Sequence, residues 1–255
     1  MRSLIAFTKK ELVESSRTYK LFVLLTIFGI FGFLNPITAK IMPELLNEFL
    51  PEGMTIILEE PQALDSWMQF FKNVSQTGMI VLVIIFSGIM ANEISKGTLT
   101  IMLTKGLSRK AVILAKFIAT ALQWTLAFGL CFLITYFYTI YFWPVDEIVN
   151  LPLAVIALWS FGIMLISLII FGGLLFKNTY GALLLTGGAV LLLTILNIAP
   201  KLRPYNPMTL ISDSIPLITG ISLAADMISA GVVTIGITII VLIVSVIDWI
   251  SLNAS

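Results

Sequence analysis

LPLAVIALWSFGIMLISLIIFGGLLF (151–176), KNT (177–179) and YGALLLTGGAVLLLTILNIA (180–199) form one continuous run in which Lys177 is the sole charged residue. A bilayer core about 30 Å thick is crossed by about 20 apolar helical residues, whose backbone N–H and C=O groups must be satisfied within the segment. Two long uncharged stretches split by a three-residue polar turn therefore predict a transmembrane helical hairpin. Working outward, the same criterion gives four more spans, at 21–39, 77–91, 118–143 and 231–249. The span at 77–91 is short and borrows the uncharged residues before it. The one at 118–143 runs back through Lys116 toward Ser108, where it reads as an interfacial turn. Residues 21–39 follow a charged leader and lack a small-residue cleavage pattern, so they are not expected to be a removable signal.

Composition agrees with this reading. The 255 residues are 58% hydrophobic and 11% charged, with a mean hydropathy of +1.04, whereas a soluble domain carries about a quarter charged residues. A water-soluble globule is excluded. The fold class is an all-α integral membrane protein with six transmembrane helices. Residues 1–255 form a single membrane domain, and the outer loops at 40–76 and 200–229 are insertions rather than domains of their own.

A net charge of +1 gives no basic footprint for nucleic acid. Histidine is absent and Cys131 is the one cysteine. His-based triads, His or Cys zinc sites and an internal disulfide are excluded, and no side chain present titrates near neutrality when unperturbed. Cys131, in an apolar run, reads as a packed, inert thiol. The chain is expected to be no enzyme, with no catalytic residue, metal or cofactor of its own.

Basic residues in short loops resist translocation and set orientation. With the N-terminus cytoplasmic, segments 1–20, 92–116, 177–179 and the C-terminal tail hold 11 of the 15 Lys and Arg. The outer side keeps Lys40, Lys72, Lys201 and Arg203 together with 10 of the 14 acids. An N-in, C-in topology satisfies the rule.

The leader MRSLIAFTKKELVESSRTYK is too polar to span. Its apolar Ile5, Phe7 and Leu12 interleave with Lys9, Lys10, Glu11 and Glu14, and Thr8 and Glu11 have capping-box spacing. This predicts a helix in the inner interface with lysines on lipid phosphates; a solvated basic tail would satisfy the same charge rule. In the first outer loop, Leu45, Leu46, Phe49 and Leu50 after Pro43 form one stripe. Trp67, Phe70, Phe71 and Val74 form a second after Asp65, read as an N-cap. Both predict short amphipathic helices on the outer leaflet or capping the bundle. Glu44, Glu48, Glu52, Glu59, Glu60 and Asp65 read as a solvated face rather than a cation site, having no regular oxygen-ligand spacing.

The inner loop ANEISKGTLTIMLTKGLSRKAVILAKF (91–117) carries the most function. Leu99, Met102 and Leu103 share one helical face between Gly97 and Gly106, Thr98 is an N-cap, and Lys96, Lys105, Arg109 and Lys110 surround that face. Ser108 caps the next helix. A plain turn needs no second apolar stripe, so a short helix across the membrane face, docking a partner, is the favoured reading.

Glu93, Gly97-Thr98-Leu99, Leu103, Ser108-Arg109 and Lys116, on the exit of a second membrane helix, resemble the permease subunits of ABC-2 type transporters. The leader, the six spans, the outer segment PEGMTIILEEPQALDSWMQFFKNVSQ and Tyr205-Asn206-Pro207 are also similar to bacterial members of that family. The likeness covers essentially the whole chain. Gly106-Leu107 stands where relatives often carry a proline-containing turn, and the tail after Trp249 lacks the basic residues many of them have. The resemblance implies a cytoplasmic coupling helix between spans 2 and 3, built on Glu93, Lys96, Gly97, Thr98, Leu99, Met102, Leu103, Lys105, Ser108 and Arg109, which seats in a separate ABC ATPase. It also implies a second contact through the interfacial helix residues Ile5, Phe7, Lys9, Lys10 and Leu12, a second permease copy as homodimer or related paralogue, and a bacterial plasma-membrane location.

No G-x-x-x-x-G-K-[ST] occurs, so ATP and Mg are expected on the partner ATPase. No carboxylate lies mid-span, which disfavours an acidic proton or sodium relay. Thr26, Ser87, Gln123, Thr125, Thr135, Ser160, Ser167, Thr186, Thr194 and Asn197 read first as helix–helix hydrogen-bonding groups. The aromatics Phe128, Phe132, Tyr136, Phe137, Tyr138 and Phe142 suit a path for amphipathic cargo, or a core and lipid-facing stripe. The leading reading is an ATP-driven exporter of hydrophobic or amphipathic molecules such as a peptide toxin, antibiotic or lipid. The alternatives are an ABC-type sodium-extrusion permease and a non-transporting membrane anchor or regulator.

Overall fold

The structure, a computed structural model, describes residues 2–48, 60–95, 97, 108–144 and 148–251. Among the described residues every regular element is helical. Six helices are long and apolar enough to cross a membrane: span 1 Lys20–Pro43, span 2 Ala63–Ser95, span 3 Arg109–Phe142, span 4 Leu151–Phe176, span 5 Thr179–Leu196 and span 6 Ala224–Ile247. The hairpin of spans 4 and 5 turns through Lys177, held left-handed at φ 55°, and Asn178, whose Oδ1 accepts from the Gly181 N–H at 2.6 Å. Asn178 thus starts span 5 by satisfying one of its orphan donors.

Span 4 is the central helix. Its apolar window is 72% enclosed by protein, against 17% for span 5 and 22% for span 6, so the packed core lies around it. The Trp124 indole of span 3 is fully buried beside the Phe28 ring of span 1 and donates to the Trp159 carbonyl of span 4 at 3.1 Å. Gly162 makes this approach possible, because a Cβ there would lie 2.4 Å from the indole. Gly162→Ala is therefore expected to lower stability by about 1–3 kcal/mol through overpacking, read as an earlier melt of the detergent-solubilised protein; an unchanged melt would contradict this packing.

Several sequence expectations are corrected. The second outer-loop stripe belongs to no separate helix: Ala63–Asn73 continues through a π-helical turn, Val74–Gly78, into Met79–Phe86. Its aromatics bury because span 3 supplies partners, with Trp67 against Phe132 and Phe70 against Phe128. Asp65 is not the N-cap; it lies three residues into the helix, and its carboxylate accepts from the N–H of the capping residue Gln62 at 2.9 Å. Residues 44–48 continue the helix Lys20–Glu48 through Pro36 and Pro43 instead of starting a new one, while Phe49 and Leu50 lie outside the described residues. Span 3 is helical from Arg109, with Ser108 Oγ accepting from the Ala111 N–H at 3.3 Å, so the stretch from Ser108 to Lys116 is part of the span's helix rather than an interfacial turn. Thr8 caps nothing: the leader helix begins at Arg2, and Thr8 Oγ1 donates back to the Leu4 carbonyl.

The neutral polar groups divide into two kinds. Gln123, Thr125 and Thr135 bond across helices, to Ser15, Trp159 and Asn35 respectively, whereas Ser87, Ser160, Ser167, Thr186 and Thr194 bond back to their own helix. Asn206 of the Tyr-Asn-Pro segment donates to the Leu193 carbonyl at 2.7 Å, satisfying the frayed end of span 5.

Candidate functional site

Three chain segments meet at one end of the bundle. The leader helix Arg2–Arg17 lies along the start of span 3 and presents Phe7, Glu11 and Ser15, one turn apart, as a buried row. Span 2 breaks at 87–90 and resumes as Ala91–Ser95, carrying Glu93. Span 3 contributes Lys116, two turns beyond its Ser108 cap.

Their charges close into a ring. Lys10 Nζ lies 3.0 Å from Glu11 Oε1 and 2.9 Å from Glu93 Oε1, while Lys116 Nζ lies 3.0 Å from Glu11 Oε2 and 2.8 Å from Glu93 Oε2. Each carboxylate divides its two oxygens between the two ammoniums, so neither lysine has a single owner. Lys116 is 1% exposed and Glu11 7%, which makes the pairing obligatory, since an unpaired charge at such depth costs several kcal/mol. The Phe7 ring lies 5.1 Å from Lys10 Nζ and 5.8 Å from Lys116 Nζ, adding a cation–π face beneath both. Glu14 adds an outer contact to Lys10 at 2.6 Å.

Burial alone would pull the Lys10 ammonium down, but Glu14, Glu93 and Glu11 outweigh it and hold Lys10 above its ordinary range. A lysine raised on folding contributes its full stabilisation below its unfolded value of 10.5, and loses it only as pH climbs through the still higher folded value. The oxygens of Glu11, Glu14 and Glu93 lie within 4.8 Å of one another, a spacing able to hold a cation. The Lys10 ammonium stands among all three. A cavity of about 490 Å³ opens beside the ring, lined in part by Thr18, Lys20, Asn92 and Gln123.

The sequence-predicted residues distribute unevenly around this centre. Glu93 and Lys10 are in the ring, and Phe7 is beneath it. Ile5 and Lys9 are exposed, and Leu12 is half-buried. Phe7 and Lys10 therefore face the bundle rather than lipid, which corrects the purely interfacial reading of the leader for those two residues. Gly97 adopts φ +68°, and Ser108 and Arg109 open span 3. Lys96, Thr98, Leu99, Met102, Leu103 and Lys105 lie outside the described residues. Sequence reasoning missed Glu11 as a buried group and Lys116 as its partner. The available signal was the row Phe7, Glu11, Ser15 at four-residue spacing together with a lysine set in an apolar helix. The aromatic run of span 3 is packing at Phe128, which is buried, and exposed surface at Phe137.

No protein-family model matches the chain, and no solved structure matches it significantly. An uncharacterized transmembrane protein of Bacillus subtilis (strain 168), YxlG, is 24% identical over 140 residues, which is 54% of either chain. The chain thus spans about half the length of the curated relative it matches. This chain is a multi-pass membrane protein. The transmembrane relative and the six apolar helices agree on that point.

Proposed function

We propose that this chain is the permease subunit of an ATP-driven ABC-2 type exporter in a bacterial plasma membrane, moving hydrophobic or amphipathic cargo outward. The supporting observation is the ring of Lys10, Glu11, Glu93 and Lys116. It ties the leader helix to both flanks of the 96–107 loop, the segment whose resemblance points to a coupling helix. In this reading the ring lies at the cytoplasmic membrane boundary, and the loop seats in a separate ATPase that binds ATP and Mg.

ATP-driven closure of two ATPases would displace the loops of two permease copies. Because Glu93 and Lys116 flank the loop and share the leader helix as counter-ion carrier, such a displacement moves spans 2 and 3 together rather than bending the loop alone. A two-state bundle is biased only by contacts that differ between its states, and a buried ring that must stay paired transmits displacement stiffly. The test is affinity purification of the tagged full-length chain from native membranes: an ATPase with a G-x-x-x-x-G-K-[ST] motif is expected in the eluate. Its consistent absence under mild detergent would count against the reading.

A further inference from the structure

A second cavity, of about 800 Å³, opens between spans 2, 4 and 5 and the helices Thr209–Ser212 and Ser214–Ile218, toward the end opposite the ion ring. Its size falls within the roughly 300–1,000 Å³ of small-molecule pockets. One face of span 2 supplies a polarity gradient along it. Lys72, Ser75 and Gln76 stand at the rim, and Met79, Val83 and Ile84 follow deeper along the same helix. The π-helical turn Val74–Gly78 lies at the change from polar to apolar, a backbone feature that recurs at functional sites. Leu165 of span 4 and Val190 of span 5 continue the apolar wall. Lys72 and Gln76 are both exposed, and Lys72 makes no ion pair with a described residue.

A cation above an apolar trough, at the edge of a membrane span, is complementary to an anion carrying a hydrocarbon tail. We infer that this cleft binds an anionic phospholipid of the surrounding bilayer, with its phosphate at Lys72, Ser75 and Gln76 and one acyl chain along Val83, Leu165 and Val190. The site is independent of the exporter reading, because it requires neither an ATPase nor transport. It differs from a generic lipid-facing surface in having one cation, Lys72, among the described residues at its rim and a wall made by three spans.

Gly187 supplies the test. It lines the cleft, and a Cβ added there meets nothing within 4 Å; the same open space surrounds Gly188, which does not line it. A Cβ is accommodated at either position without a clash, and only Gly187 lines the trough, so Gly187→Phe is directed at the lipid site and Gly188→Phe is its control. The full-length protein would be reconstituted in nanodiscs of equimolar phosphatidylglycerol and phosphatidylcholine, and the lipid retained after extraction counted by native mass spectrometry. Wild type is expected to retain phosphatidylglycerol over phosphatidylcholine by about fivefold, the effect of one cation near a lipid head group. Lys72→Gln should bring that ratio close to one, and Gly187→Phe should lose the retained lipid while Gly188→Phe keeps it. Equal retention of the two lipids by wild type would overturn the proposal, as would identical retention by the two glycine variants or a second copy of the chain cross-linked into the cleft in place of lipid. None of these outcomes depends on finding an ATPase.

Discussion

Lys116→Met is expected to lower the stability of the solubilised protein by about 3–5 kcal/mol, the range found when one partner of a buried ion pair is removed. The substitution keeps side-chain length and apolar volume, so lost packing contributes little. What it removes is the cation that Glu11 and Glu93 share at 3.0 and 2.8 Å. Lys10 alone would then face both carboxylates, with Glu14 as a third. The double variant Lys116→Met, Glu11→Gln restores charge balance and should recover part of the loss. The cycle of single and double variants is expected to show a coupling of about 0.5–3 kcal/mol, as for residues in direct contact. Additive effects in thermal melts would mean that the ring is not a single electrostatic unit.

Leu99→Glu and Leu103→Glu are expected to abolish ATP-coupled transport while leaving insertion and folding intact. If Leu99 and Leu103 dock on an ATPase as proposed, a carboxylate introduced at either position would be pressed into an apolar groove without a partner. Truncating a central interface anchor costs about 2 kcal/mol or more, about 30-fold in affinity, and an added buried charge is at least as disruptive. The comparison is ATPase retention on the purified chain beside membrane abundance of each variant. Parental transport rates in both would remove the docking role from this loop.

The contrast between what was legible and what was not has physical causes. Span 4 was readable to the residue because it is apolar on every side, as a helix enclosed by others must be, and its ends carry Asn150 and Lys177. Span 2 was misjudged at its N-terminal end because Lys72 and Gln76 interrupt the hydropathy signal where the helix meets the cleft. Capping at Ser108 could be read locally, since it depends on residues three apart. The ring could not, because Glu11 and Lys116 are 105 positions apart and their meeting is set by how the leader helix lies on span 3. A lysine in an apolar helix demands a counter-charge, but several glutamates were available. The cleft was equally invisible, being assembled from walls on three separate spans.

Cargo flux in sealed vesicles decides whether the chain is half of an ATP-driven exporter: the full-length chain is reconstituted alone and together with any ATPase that co-purifies with it. ATP-dependent movement of an amphipathic fluorescent probe is expected only when both polypeptides are present, and it should be lost in Leu99→Glu. Probe movement driven by the chain alone, or no ATP-dependent movement by the complete assembly, would contradict the exporter reading.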